Sequence, residues 1–157
     1  MQKRINLFEH RSNVSKDLQS LVVYLGKSSL EKNLLHLVET RVSQLNGCAF
    51  CLDMHTKDLR AEGETEQRIY LLSAWRETSL YTGREQAALA WAEAVTKLEN
   101  GQVSDEVYEQ ALQEFSEKEL VDLTLTINSI NLYNRFNIAF QTPAGDYQPG
   151  QFAVHAN

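Results

Sequence analysis

The chain has 157 residues, 43% of them hydrophobic and 23% charged, with fifteen Lys+Arg against twenty-one Asp+Glu for a formal charge of −6. This is one domain's length of globular composition, and the acidic balance argues against a nucleic-acid footprint or a polybasic membrane surface. No apolar run approaches the ~18 residues of a membrane span. The opening Met1–His10 segment has no apolar stretch behind its charges, so no signal peptide is expected and a cytoplasmic location is.

Only two prolines occur, Pro143 and Pro149, so the strongest helix breaker is missing from everything before residue 143. The patterning predicts helices over 15–26, 29–45, 48–62, 66–77, 83–98, 105–114 and 117–139. Capping-box spacing, a hydroxyl residue followed three later by Glu, occurs at Ser28–Glu31, Thr82–Glu85 and Ser116–Glu119, and Thr65 and Ser104 read as further N-caps. Leu34, Val38, Val42 and Leu45 recur at helical intervals in the second segment, as do Leu120, Leu123, Ile127 and Ile130 in the last. Gly63 and Gly101 stand where helices would end. No strand alternation is visible. The expected architecture is a single all-α domain over 1–157, with its core in about 15–140 and a loop-like tail from Gln141.

In the second helix His36, Glu39, Thr40 and Ser43 lie opposite the apolar stripe. That face is either wet, the usual fate of a polar face, or turned to the next helix to supply a proton relay. The next helix begins after the break at Asn46-Gly47 and carries the two cysteines, Cys48 and Cys51, followed by His55. At 3.6 residues per turn these three share one face, with Cys51 and His55 one turn apart.

Such a short loop gains little from a structural disulfide. The spacing instead suits thiol chemistry. Unpaired N–H groups at a helix start stabilise a thiolate, a histidine one turn on can handle the proton, and a second thiol can close a disulfide. Two blander readings stay open: a pair of buried thiols, or a zinc clip from Cys48, Cys51, His55 and His36, although structural zinc usually wants four ligands at knuckle spacing. No Gly-rich phosphate loop is present, and no haem, nucleotide or metal cofactor is called for. His10 and His155, near the termini, are expected to be solvated.

Further along, Arg84 and Glu85 read as helix N-terminus and capping box, and Trp75 and Trp91 as core or interface aromatics. Asn128, Asn131 and Asn134 recur every third residue, an unusual choice for a helix that reads either as a buried polar seam, within or between subunits, or as an exposed face.

The stretch Ser43-Gln-Leu-Asn-Gly-Cys-Ala-Phe-Cys-Leu-Asp-Met-His-Thr-Lys-Asp58 resembles the core of the AhpD-like (alkylhydroperoxidase D/carboxymuconolactone decarboxylase) superfamily, in its Cys-x-x-Cys-x-x-x-His branch. The likeness continues through Trp75, Arg84–Thr96 and Ile130–Arg135 and covers about residues 15–140. It implies an all-α fold assembled into trimers or hexamers, and a thiol peroxidase re-reduced by an external, thioredoxin-like dithiol. It also implies that Cys51 attacks peroxide, Cys48 resolves, and His55 relays the proton. The glutamate usual in that family twelve residues before the first cysteine is replaced by His36, with Glu39 one turn later. Either His36 or Glu39 completes the relay, or the relay is weakened. The decarboxylase branch typically lacks the cysteine pair, so lactone chemistry is not implied. Rival expectations are a disulfide reductase or redox relay, and a non-enzymatic redox-sensing or zinc-binding module.

Overall fold

A computed structural model describes residues 4–5 and 14–152. Among these the chain is entirely helical apart from turns and loops: α1 (Val14–Leu25), α2 (Lys32–Asn46), α3 (Ala49–Ala61), α4 (Glu66–Leu71), α5 (Gly83–Lys97), α6 (Asp105–Glu114) and α7 (Glu117–Phe140). His10 and His155 lie outside the described residues.

The helix starts follow local chemistry. The hydroxyls of Thr65, Thr82, Ser104 and Ser116 each accept from the backbone N–H three residues on, and reciprocal capping boxes form at Thr82/Glu85 and Ser116/Glu119. The box expected at Ser28–Glu31 does not form. Glu31 is the N-cap of α2 and makes no side-chain cap bond; its carboxylate pairs with Arg84 instead, and the helix starts three residues later than predicted. The fourth predicted helix is also broken. After Leu71 the chain tightens into a 3-10 segment, Leu72–Glu77, which Ala74 interrupts with a non-helical backbone.

α2 is the centre of the molecule and packs against α3, α5 and α7. Leu34, Val38 and Val42 join Ala88, Ala92, Leu123 and Ile127 in one core cluster, while Leu37 points the other way to Leu59, Leu72 and Leu89. A helix that must serve two apolar clusters has little face left to expose, and Thr40 and Ser43, on its polar side, are fully buried. Both hydroxyl residues have partners: Thr40 donates to the His36 carbonyl, and Ser43 accepts from Asn134.

At the end of α2 Gly47 takes the left-handed conformation (φ 70°) and its N–H bonds back to α2 carbonyls, so the chain reverses within one residue and α3 runs back beside α2. The tail from Gln141 lies across the outer side of α3. Lys57 donates to the Gly145 and Tyr147 carbonyls, the Gly145 N–H donates to Asp53, and the Tyr147 hydroxyl meets Asp58. No described helix is long and apolar enough to cross a membrane.

Candidate active site

Cys48 is the N-cap of α3 rather than part of its first turn: it is extended (φ −86°, ψ 99°), and its sulfur accepts from the Cys51 N–H at 3.4 Å. Here a sulfur does the work that Ser or Asp does at other helix starts. The two sulfurs are unbonded and share a hydrogen bond at 2.7 Å, a small approach from the ~2.05 Å of a disulfide. Hydrogen-bond contact with the Cys51 side chain holds the Cys48 thiol down to about 7, against the pull of burial and with help from the Cys51 and Phe50 backbone and Asn134. The same bond, then burial and the neighbouring charge, pushes Cys51 well up. The two thiols are therefore tightly linked, with Cys48 lowered and Cys51 raised by their contact. Neither sulfur reaches solvent: Cys48 is 1% exposed and Cys51 0%.

One turn beyond Cys51, His55 meets the polar side of α2. Its Nδ1 stands 3.3 Å from Glu39 Oε2, and the same oxygen lies 3.2 Å from His36 Nδ1. The imidazole rings of His36 and His55 are 5.8 Å apart. On its other side His36 Nε2 is 3.4 Å from Glu62 Oε1, at the end of α3. That face of α2 is therefore not wet: His36 and Glu39 turn to the cysteine helix, while Ser43 meets Asn134 of α7.

The environment splits these groups. Burial drives His55 toward the neutral form, despite Glu39. His36 is also opposed by burial, but the hydrogen bond and charge of Glu39, with Glu62 and Asp58 beyond, raise it above an ordinary histidine. Glu39 is held low by the two imidazoles although burial opposes ionisation. The site thus pairs a carboxylate with a readily protonated His36 and a neutral His55. His55 makes no direct hydrogen bond to Cys51: it is 5% exposed, and its polar contact is the 3.3 Å approach of Nδ1 to Glu39, too poorly aligned to count as a hydrogen bond.

All five residues singled out from the sequence thus fall on the α2–α3 hairpin, in two groups: Cys48 with Cys51, and His36, Glu39 and His55 together. The zinc clip from two cysteines and two histidines is not assembled. Among the described residues, the donor atoms that converge within 4.8 Å belong to His36, Glu39 and His55, and neither sulfur is with them.

Arg84 and Glu85 are structural, as expected: Arg84 bridges Glu31 and Glu119, and Glu85 closes the α5 cap. Trp75 and Trp91 are buried, with their indole N–H groups on Glu93 and Thr124. The asparagine seam exists but is shifted. Asn128 is exposed, whereas Asn131, Asn134 and Asn137 are buried.

Asn46 joins that seam by donating to Asn131 and Asn134, and Asn137 donates to Cys51 Sγ at 3.4 Å. Asn137 continues the three-residue spacing, and that continuation was the signal available in the sequence. Its Oδ1 is buried without a partner. Glu62 gave no comparable signal.

The sequence model of the carboxymuconolactone decarboxylase family matches residues 16–94. The uncharacterized protein YdfG of Bacillus subtilis is 43% identical over 139 residues, covering 88% of this chain and 95% of its own. A crystal structure from Agrobacterium tumefaciens, of a protein of unknown function assigned to antioxidant defence as an AhpD, superposes with TM-score 0.87 at 38% identity over 93% of this chain and all of that one. The debrominase Bmp8, crystallised with 2,3,4-tribromopyrrole, shares the fold at TM-score 0.79 but only 15% identity, over 88% of this chain and 74% of its own.

Proposed function

The chain belongs to the carboxymuconolactone decarboxylase family, and from that premise we propose that it is a thiol peroxidase whose Cys48–Cys51 pair reduces hydroperoxides. The observation that carries this reading is the pair itself: two free sulfurs in hydrogen-bond contact at a helix N-cap, where Cys48 is lowered to about 7 by its contact with Cys51. Fold alone could not carry it, since one scaffold hosts different chemistries.

The thiolate is the nucleophile in such chemistry, so this reading gives the attack to Cys48 and the resolving role to Cys51. That reverses the order implied by the family resemblance. Cys48 sulfur attacks the distal oxygen of ROOH, the O–O bond breaks, and the departing RO⁻ takes a proton to leave as ROH. His36 is the proton source best placed by charge, with Glu39 linking it to His55 on the cysteine helix, one turn beyond Cys51. The Cys51 thiol then condenses with the Cys48 sulfenic acid, releasing water and forming the disulfide. An external dithiol reduces it by exchange and leaves as its own disulfide.

The burial of both sulfurs favours a small oxidant over a protein disulfide as the first reactant. The unpaired Asn137 Oδ1 supplies a buried acceptor beside Cys51 for the hydroperoxide O–H. Re-reduction requires the start of α3 to open. A thioredoxin-like reductant and a trimeric or hexameric assembly complete the proposal.

Peroxide consumption with a generic dithiol tests it. Wild type is expected to turn over. Cys51→Ser should give one equivalent of Cys48 sulfenic acid and then stop, and Cys48→Ser should give neither. Sulfenic acid on Cys51 in the Cys48→Ser protein would restore the other order of attack. Undiminished turnover in both variants would remove the reading.

A further inference from the structure

We propose that His36, Glu39 and His55 form a binding site for a borderline divalent metal, Zn²⁺ foremost, and that filling it stops the thiol cycle by taking the proton relay out of service. The second half rests on the peroxidase reading; the first stands without it.

The geometry is that of a partly assembled coordination sphere. His36 Nδ1 and His55 Nδ1 lie 3.2 and 3.3 Å from the same oxygen, Glu39 Oε2. Ligands ~2.0–2.1 Å from a tetrahedral zinc stand about 3.3 Å from one another. All three donor atoms fall within 4.8 Å of each other, so a cation needs only a small inward adjustment.

The independent observation is His55. It is 5% exposed and has no hydrogen-bond partner on either nitrogen, an arrangement that costs folding free energy unless something occupies the lone pair. Among the described residues its single polar contact is the 3.3 Å approach of Nδ1 to Glu39, which is not a hydrogen bond. His36 also has the companion that metal-bound histidines usually show: Glu62 Oε1, 3.4 Å from Nε2, can take the outer N–H and leave Nδ1 as the ligand atom.

Donor chemistry selects the class of ion. Two imidazoles and one carboxylate suit Zn²⁺, Fe²⁺ or Ni²⁺, whereas Ca²⁺ and Mg²⁺ want all-oxygen shells. Three protein ligands leave a position for water, the pattern of an open site rather than a closed structural one. His36 and Glu39 are only half-buried, so the ion has a way in from solvent. The cysteines are not needed, since neither belongs to the converging group.

The test separates this site from the thiols. Metal-stripped full-length protein carrying Cys48→Ser and Cys51→Ser, with the Cys→Ala pair as a second route, is titrated with Zn²⁺ by calorimetry and with Co²⁺ by absorption. One ion per chain is expected, with cobalt ligand-field bands and no sulfur-to-cobalt charge transfer. Adding His55→Gln or Glu39→Gln should weaken binding at least tenfold at unchanged helical circular dichroism. Loss of binding with the thiols, or binding indifferent to both substitutions, overturns the site.

In the second arm, Zn²⁺ should inhibit wild-type peroxide turnover at the concentration that half-fills the thiol-free site, and a chelator should reverse it. Full turnover at saturating zinc overturns the regulatory half. A wild type with no peroxide turnover at all would sink the peroxidase reading and the regulatory half together, while calorimetry still decides the site.

Discussion

Two glutamates, Glu93 buried and Glu39 half-buried, sit among basic side chains, and the contrast between them separates scaffold from site. Glu93, on α5, is saturated: Arg41 and Arg76 reach it from either side, and the Trp75 indole N–H donates to Oε1 at 3.0 Å. Those donors hold its carboxyl below the usual range although burial opposes ionisation. Glu39, on α2, faces two imidazoles of different protonation tendency, one of them without any hydrogen bond. A buried charge with every lone pair engaged locks helices together. A buried polar group left half-satisfied keeps a capacity free for a proton or an ion. The first arrangement serves the fold, and the second is what chemistry requires.

Stability and activity measurements can break that contrast. The largest effect is expected at the saturated end: Glu93→Gln removes the carboxylate that Arg41 and Arg76 share and should cost about 3 kcal/mol in urea unfolding, with the peroxide rate per folded molecule retained. Loss of rate at full stability would place Glu93 in the site. At the other end Glu39→Gln should change stability by under ~1 kcal/mol but slow steady-state peroxide turnover on the order of 100-fold.

The sulfur pair sharpens the same comparison through pH. An unfolded cysteine titrates near ~8.5, whereas Cys48 is held at about 7 in the native state. A depressed acid contributes stability above its unfolded value and loses it as pH falls through its folded one. Cys51 is shifted the opposite way, so the native chain keeps that proton when the unfolded chain releases it. Stability of the reduced protein should therefore climb from pH ~7 to ~8.5, by at most about 2 kcal/mol, and fall beyond that. Unfolding under a non-thiol reductant across this range checks it, and Cys48→Ser should abolish the climb.

The smallest effect belongs to pure scaffold. Thr82→Ala removes a cap hydroxyl from α5 and should cost about 1 kcal/mol with peroxide turnover unaltered.

Much of the helical plan was legible because its causes are local. Thr65, Thr82, Ser104 and Ser116 satisfy N–H groups three residues away, and Gly47 reverses the chain by its own backbone freedom. α2 starts later than its capping pattern predicts because Glu31 is claimed by Arg84, fifty-three residues on. The break within the fourth helix left no comparable mark. Within the site, the Cys48–Cys51 contact followed from spacing alone, since three residues at a helix start can hardly place two sulfurs elsewhere.

The sequence by itself determined where the helices run and that two thiols and an imidazole share one helix. Only the tertiary structure decided which of the flanking groups reach them. It brought Glu39 and His36 onto His55, Glu62 behind His36, and Asn137 from eighty-six residues away onto Cys51. It also decided that Cys48 is lowered and Cys51 raised, because those shifts depend on burial and on donors from α7 as well as on the helix start. The physical reason is range. Capping and turn energies act over three or four residues, whereas desolvation and pairing inside a packed core depend on whatever the fold sets alongside.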